Sequence, residues 1–397
     1  MSDSRTYDDY RRIFRGVPMP FAFVDLDLLW NNAEAIAARA RGKKVRLGTK
    51  GIRCAALLRK ILDHRAQFAG LMCFSAAEAV FLSRKGFDDL LIAYPVWQQD
   101  QLEALCDEVR SARQLAVMFD SPDHLQRYDA VAAAKGVVLN VCLDLDVASR
   151  FPFLHFGVKW SEVSGERKIQ AVCDQLSSLK NVRLVGMMGY EAQIAGLPDD
   201  VKGDLKSPVV RLLKRLSAAA VRKKRAEAAA VLTKAGHELR FVNGGGTGSL
   251  DSTSLDEVVT EVTAGSGFYS PASFDHYRDF RHRPAAAYAV EITRKGTRGA
   301  MVCHGGGYTA SGVATRLKEP VPYLPRGVRL SRHEGAGEVQ TPVVYRGREE
   351  LRLGDPLFFR HAKAGELCER VNSLHLVTQG RIVGQVPTYR GEGMCFL

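Results

Sequence analysis

The sequence contains no run of about 18 apolar residues, so no helix in it is expected to cross a membrane. Its first stretch, MSDSRTYDDYRRIFRG, is charged and polar and lacks the apolar core of a secretory leader. No two of its eight cysteines stand at CxxC spacing, and they are scattered, several of them in apolar runs. That pattern reads as reduced, mostly buried thiols in a cytoplasmic protein. Aromatic residues are absent from the densest basic segment, KRLSAAAVRKKRAEAAAVLTK (Lys214 to Lys234), so it offers nothing for bases to stack on. It reads instead as one long amphipathic helix with a solvated basic face. The formal net charge of +12 is otherwise spread along the chain. No nucleic-acid partner and no membrane partner are expected; small phosphate or carboxylate ligands suit the excess.

What the sequence does contain is alternation. Eight strand-like runs stand between about Val45 and Gly267: KVRLGTK, QFAGLMCF, DLLIAYPV, QLAVMFD, VVLNVCLDLD, VRLVGMMGY, LRFVNGGG and VVTEVTAGSG. Between most of them lie Ala- and Leu-rich segments of helical period. In SAAEAVFLSRKG, Ser75 is the expected N-cap, Glu78 completes a capping box and Gly86 stops the helix. In SPDHLQRYDAVAAAKG, Ser121 caps and Pro122 opens the helix. Repeated strand–helix units with continuous apolar strands predict a parallel sheet, and eight of them predict a closed (β/α)8 TIM-type barrel of about 250 residues. From about Ala285 short strands alternate with Gly-rich turns, which predicts a C-terminal all-β domain. The expected division is a barrel over 20–283 and a β domain over 284–397, joined by 1–19. The FAFVDLD segment before the first barrel unit is a candidate to pair with the β domain.

Active sites of such barrels lie at the carboxyl ends of the strands. Lys50, at the end of the first run, is in that layer. Glycine clusters follow the seventh and eighth runs: NGGGTGS (Asn243 to Ser249) and AGSGFY (Ala264 to Tyr269). Bare backbone amides at these two strand ends form the usual phosphate-holding loops of barrels. An amine at the barrel mouth with a phosphate cradle across from it is what pyridoxal 5'-phosphate requires: the lysine forms the Schiff base and the loops hold the phosphate.

The stretches FVDLDLLWNNAEAIAARARG…VRLGTKGIRC, SAAEAVFLSRKGFDDLLIAYP, GYEAQIAG and NGGGTGS, with the C-terminal β domain, resemble the fold-type III pyridoxal-phosphate enzymes. Among these the branch of D-threonine aldolase and eukaryotic-type D-serine dehydratase is nearest, and alanine racemase is more distant. The resemblance covers nearly the whole chain. It implies a homodimer and a lyase acting on a small β-hydroxy amino acid, of D configuration, by retro-aldol cleavage or by dehydration and deamination. It makes Lys50 the Schiff-base lysine and puts Gly245, Gly246, Thr247, Gly265 and Ser266 near the phosphate. Tyr190 would face the cofactor ring or the substrate. An amino-acid racemase, or a cofactor-carrying protein without turnover, are the rival readings.

Two places depart from the family pattern. Relatives carry a His and, two residues on, a Cys or Asp that hold a divalent metal. Here FFRHAKAGELCERVN keeps His361 but puts Lys363 in the second position. Two readings stay open: His361 with Cys368 or Glu366 holds zinc or manganese, or Lys363 supplies the positive charge itself. The link from Asp146 to Gly157 is also longer than usual, with Arg150, His155 and Lys159 as cations for the substrate carboxylate. In CHGGGYTASG, His304 and Tyr308 are candidate acid–base groups, beside the reading of a plain Gly-rich hairpin.

Overall fold

The computed structural model describes residues 5–111 and 114–397; residues 1–4, the start of the charged N-terminal stretch, lie outside them. The chain divides into two units. One comprises Ile36–Lys50, Leu58–Gly265 and Phe396–Leu397; the other comprises the described residues up to Ala35, Gly51–Leu57 and Ser266–Cys395. Residues 20–35 and 266–283 therefore fall with the β unit, and so does the segment that directly follows Lys50.

Strand β1 (Phe21–Asp25) belongs to the β unit. The barrel unit is built from β2 (Lys44–Gly48), β3 (Phe68–Cys73), β4 (Leu90–Ile92), β5 (Leu115–Phe119), β6 (Leu139–Asp144), β9 (Val182–Gly189), β10 (Phe241–Gly244) and β11 (Glu261–Ala264), with a hairpin, β7 (Ser149–Phe151) and β8 (Leu154–Phe156), inserted after β6. All eight expected strands are present and close into a barrel in chain order, each parallel to its neighbours. The closing pair sets Val45 against Val262 and Leu47 against Ala264. Strands covered on both sides must be apolar throughout, and β5, with all five residues buried, shows why the runs read as continuous.

The helices begin where capping chemistry places them. Ser75 accepts from the Glu78 amide and starts the helix Ala76–Arg84. The Glu78 carboxylate bonds the Phe74 amide at 2.7 Å, so the reciprocal half of the expected capping box is shifted by one residue. Ser121, Pro122 and a left-handed Gly136 (φ 64°) bound Pro122–Lys135 as expected. The long basic helix runs over Ser207–Lys234, and it is more than a solvated face. Its Lys214 pairs with Asp199 at 2.9 Å and its Arg225 is fully buried.

A second buried cation was hidden by alternation. Arg46 stands between Val45 and Leu47 and is 1% exposed. Its guanidinium meets Glu261 at 2.6 Å and Asp89 at 3.0 Å and lies 5.2 Å from the Phe241 ring centre. Burial opposes its charge, but Glu261 and Asp89 outweigh burial and raise its pKa.

The β unit adds β12 (Ala286–Lys295), β13 (Ala300–His304), β14 (Val321–Leu324), β15 (Val328–Leu330), β16 (Gln340–Tyr345), β17 (Pro356–Arg360), β18 (Ser373–Thr378) and β19 (Arg381–Pro387). With β1 they form one nine-stranded sheet. The FAFVDLD strand pairs with it as anticipated, antiparallel to β12 and parallel to β18. Tyr10, Phe14, Phe21, Phe23 and Phe358 pack ring against ring beside it.

Candidate active site at the carboxyl end of the barrel

Strand β2 stops at Gly48, and Lys50 sits on a one-turn 3-10 helix, Thr49–Gly51. The turn is pinned by Thr49, whose hydroxyl donates to the Met72 carbonyl at 2.9 Å. The Lys50 side chain is exposed, and its Nζ lies 3.4 Å from the hydroxyl of Tyr94, just past the end of β4. Tyr94 was not singled out from sequence; a tyrosine after a strand end carries no motif of its own. Gly48 and Gly265 meet at the ends of β2 and β11. A Cβ on Gly265 would stand 2.4 Å from the Gly48 carbonyl oxygen, so only glycine permits this approach beside the lysine turn. Both partners are backbone and cannot rotate away. Gly265→Ala is therefore expected to destabilise the chain by about 1–3 kcal/mol and to weaken cofactor retention; an unchanged melting temperature and cofactor content would contradict this.

Tyr190 follows β9 and packs half-buried against the barrel core cluster around Met188 and Phe241. Burial pushes its hydroxyl pKa up, with the Glu191 charge and Tyr94 adding to the shift. A Cβ on Gly246 would fall 3.3 Å from the Tyr190 ring, so the first glycine loop runs directly beside this tyrosine. Lys50, Tyr94, Tyr190 and Gly246 thus share the barrel's carboxyl end.

What shapes the loop is a group the motif reading passed over. Glu191 is buried to 1% exposure, and its carboxylate accepts from the Gly245 amide at 3.1 Å, from Ser249 Oγ at 2.8 Å and from Thr253 Oγ1. Arg225 reaches it from the long helix and also bonds Asp256 at 3.1 Å and the Gly189 carbonyl at 2.6 Å. Gly244 has no room for a side chain because a Cβ would lie 2.5 Å from Arg225 Nη2. On the loop's other flank Arg39 holds the Thr247 carbonyl at 2.9 Å and Asp251 at 2.8 Å. The Gly246 amide donates to Ser249 Oγ at 3.1 Å. The amides of Gly245 and Gly246 therefore set the loop's shape. The sequence signal for Glu191 was its place next to Tyr190 in GYEAQIAG.

Asp144 ends β6 at the same end of the barrel. Burial first, then the Asp120 and Asp146 charges, push its carboxyl up to about 7. It is protonated below that value, so it can hold or release a proton near neutrality. The lengthened link after Asp146 forms the β7–β8 hairpin. There Arg150 sits 3.7 Å from Asp146 and the His155 ring is bonded to the Val158 carbonyl at 3.2 Å.

On the β unit, Ser266 accepts from the Ser270 amide at 2.9 Å. His361 follows β17, fully buried, and neither ring nitrogen has a hydrogen-bond partner among the described residues. Burial lowers its pKa to about 3, the Arg360 charge adds to this and the Ala364 backbone opposes it, so the ring is neutral. The Tyr269 ring packs edge-on to it at 6.3 Å. The Tyr269 hydroxyl and the Cys368 thiol both donate to the Ile52 carbonyl, at 3.0 and 3.3 Å. Lys363 Nζ donates to Ser311 Oγ at 2.9 Å, and Ser311 Oγ donates to Glu366 at 2.6 Å. In the Gly-rich segment that begins at the end of β13, which forms no hairpin, His304 is exposed, while the Tyr308 hydroxyl is buried with no partner among the described residues. Among the described residues no group of three or more His, Cys, Asp and Glu side chains is placed to hold a metal ion.

The residues present fit pyridoxal 5'-phosphate. An exposed lysine, a tyrosine beside the first glycine loop and two glycine strand ends share one end of the barrel, and the acid nearest the loop is neutralised by Arg225.

Comparison with known proteins agrees with this geometry. The 3-hydroxy-D-aspartate aldolase of Paracoccus denitrificans is 22% identical over 266 residues, 66% of this chain and 63% of the relative, so the match spans less than two thirds of that protein. The crystal structure of D-threonine aldolase from Filomicrobium marinum superposes with a TM-score of 0.80 at 19% identity, covering 95% of this chain and 97% of that one. D-threo-3-hydroxyaspartate dehydratase from Delftia sp. HT23 gives 0.74 at 18% identity, covering 94% of this chain and 98% of that one. The family described as alanine racemase, N-terminal domain, matches residues 24–270, well over half of the chain, and the protein belongs to that family.

Proposed function

We propose that the protein is a pyridoxal-phosphate-dependent lyase that cleaves or dehydrates a small β-hydroxy amino acid of D configuration. The observation that carries this reading is the placing of Lys50, Tyr94, Tyr190 and the Gly246 loop at one end of the barrel, in a chain whose relatives include an aldolase and a dehydratase for such substrates. Lys50 is the amine that binds the cofactor's aldehyde carbon. Thr247 and Gly265, from the two glycine strand ends, carry the phosphate contacts, while Glu191 and Arg225 keep the first loop in shape. Once bound, the cofactor acts as the electron sink for the substrate's α-carbon. Tyr94 sits beside the lysine and helps orient its amine. Asp144, with its pKa near neutrality, is the group suited to moving a proton at the barrel mouth.

The test is a screen of D- and L-β-hydroxy amino acids, assayed separately for aldehyde, the product of retro-aldol cleavage, and for keto acid, the product of dehydration and deamination. Either product from a D substrate supports the reading. The Lys50 and Tyr190 positions also suit the two opposed bases of a racemase. Exchange of the α-proton in both enantiomers, with no carbonyl product, would establish that alternative instead.

The working unit in this reading is a homodimer. Val209, Leu212 and Leu216 recur at spacings of three and four along the start of the long helix and are 58%, 57% and 52% exposed, and Leu205 just before the helix is 92% exposed. Such an exposed apolar stripe suits packing against a second copy of the chain. Light scattering is expected to give twice the chain mass, and Leu212→Glu with Leu216→Glu to shift it towards monomer. A fully active monomer at assay concentration would refute the dimer.

A further inference from the structure

We propose that the amino end of the barrel, at the opposite end of β2 from Lys50, holds a second binding site, for a small dicarboxylate. The site lies wholly within the barrel unit and does not rest on the lyase reading.

A cavity of about 390 Å3 opens where the barrel strands begin. Leu91, Ala116 and Phe241 give it an apolar wall, and Lys44, Asp89 and Arg240 line it as well. Large apolar side chains in layers normally fill the interior of such a barrel. Here that layer is polar. The donors of the buried Arg46 guanidinium all go to Glu261, to the Asp89 carboxylate and carbonyl, and to the Leu71 carbonyl. Glu261 is held in turn by Asn243 at 2.8 Å. Asp89 reaches Arg46 from a left-handed backbone, φ 54°, which residues other than glycine rarely adopt. Gly70, at φ 75°, stands where a Cβ would lie 2.5 Å from both Arg46 Nη1 and Asp89 Oδ2. A left-handed aspartate and an obligatory glycine thus meet at one buried arginine, and backbone strain of this kind gathers at functional sites.

The charges name the ligand. The cations Lys43, Lys44, Arg46 and Arg240 line the cavity against the carboxylates Asp89 and Glu261, an excess of positive charge. Arg46 is fully engaged, and Lys43 donates to the Asp256 and Val259 carbonyls. Lys44 and Arg240 are exposed, and neither side chain has a hydrogen-bond or ion-pair partner among the described residues. Lys44 opens β2, on one side of β11, and Arg240 precedes β10, on the other. Their backbones therefore stand two strand spacings apart, about 10 Å. A single phosphate is gripped by cations that converge on it. Two cations set apart beside an apolar wall suit two carboxylates joined by a short carbon chain.

Isothermal titration of the purified protein with succinate, at fixed ionic strength, tests this. One site per chain is expected, with acetate and inorganic phosphate each binding at least about 10-fold more weakly. Lys44→Ala and Arg240→Ala are each expected to weaken succinate binding by about 10-fold or more. Both residues are exposed, so the melting temperature without succinate and the cofactor content should not change. Lys50→Ala is expected to bind succinate as the parent protein does, which separates this site from the barrel mouth. Absence of succinate binding would overturn the proposal, and so would binding that survives the loss of both cations. Binding lost in Lys50→Ala, or phosphate bound as tightly as succinate, would overturn it too. A protein that takes up no pyridoxal phosphate would end the lyase reading and leave this test standing.

Discussion

Lys50→Ala is expected to abolish turnover, by about 10^4-fold or more, while leaving the fold intact. The side chain is exposed and lies on a short turn held by Thr49, so removing it opens no cavity in the core. The variant should still take up pyridoxal phosphate through the glycine loops, because these are braced by Glu191, Arg225 and Arg39 and owe nothing to the lysine. Its cofactor should be removable by dialysis, and borohydride, which reduces the free aldehyde to the alcohol, should leave no covalent label on the protein. Near-native turnover in Lys50→Ala would show that another amine does the chemistry.

Arg225→Ala is expected to have the largest effect on stability, about 3–5 kcal/mol. The guanidinium is 1% exposed and bridges Glu191, Asp256 and the Gly189 carbonyl. Removing it leaves two carboxylates buried without their cation, and Glu191 is the group that holds the Gly245 amide. Two readouts should move together: the melting temperature falls, and affinity for the cofactor falls with it. Arg225→Lys restores charge but not the fork, so it should recover only part of either. Adding Glu191→Gln to Arg225→Ala relieves one stranded charge and should regain stability relative to Arg225→Ala alone. A variant that lost stability but kept full cofactor affinity would show that this network supports the barrel only.

The barrel was legible because its signals are local and repeated. Continuous apolar runs such as Leu115–Phe119 have no other common use, and Ser121 with Pro122 and Gly136 marks a helix at both ends. Lys50 and the glycine loops were legible because their positions at strand ends carry meaning in a barrel. The buried charges were not. Arg46 looks like the polar half of an alternating strand, and Arg225 looks like one more cation on a basic helix face. Each is buried only because Glu261 and Asp89, or Glu191 and Asp256, arrive from far along the chain. Tyr94 and Asp144 gain their significance in the same way, from neighbours on other strands. Where the β unit begins was equally hidden. Nothing in the residues after Lys50 announces that Ile52 accepts from Tyr269 and Cys368, or that Arg53 pairs with Glu369 at 2.8 Å.

The central claim is that Lys50 is the amine that binds the cofactor. Borohydride reduction of the purified holoenzyme followed by peptide mapping tests it most directly. The account predicts loss of the yellow absorbance and one pyridoxyl-modified peptide, with the label on Lys50. A label on any other lysine, or a protein that stays colourless with added pyridoxal phosphate and yields no labelled peptide, would contradict it.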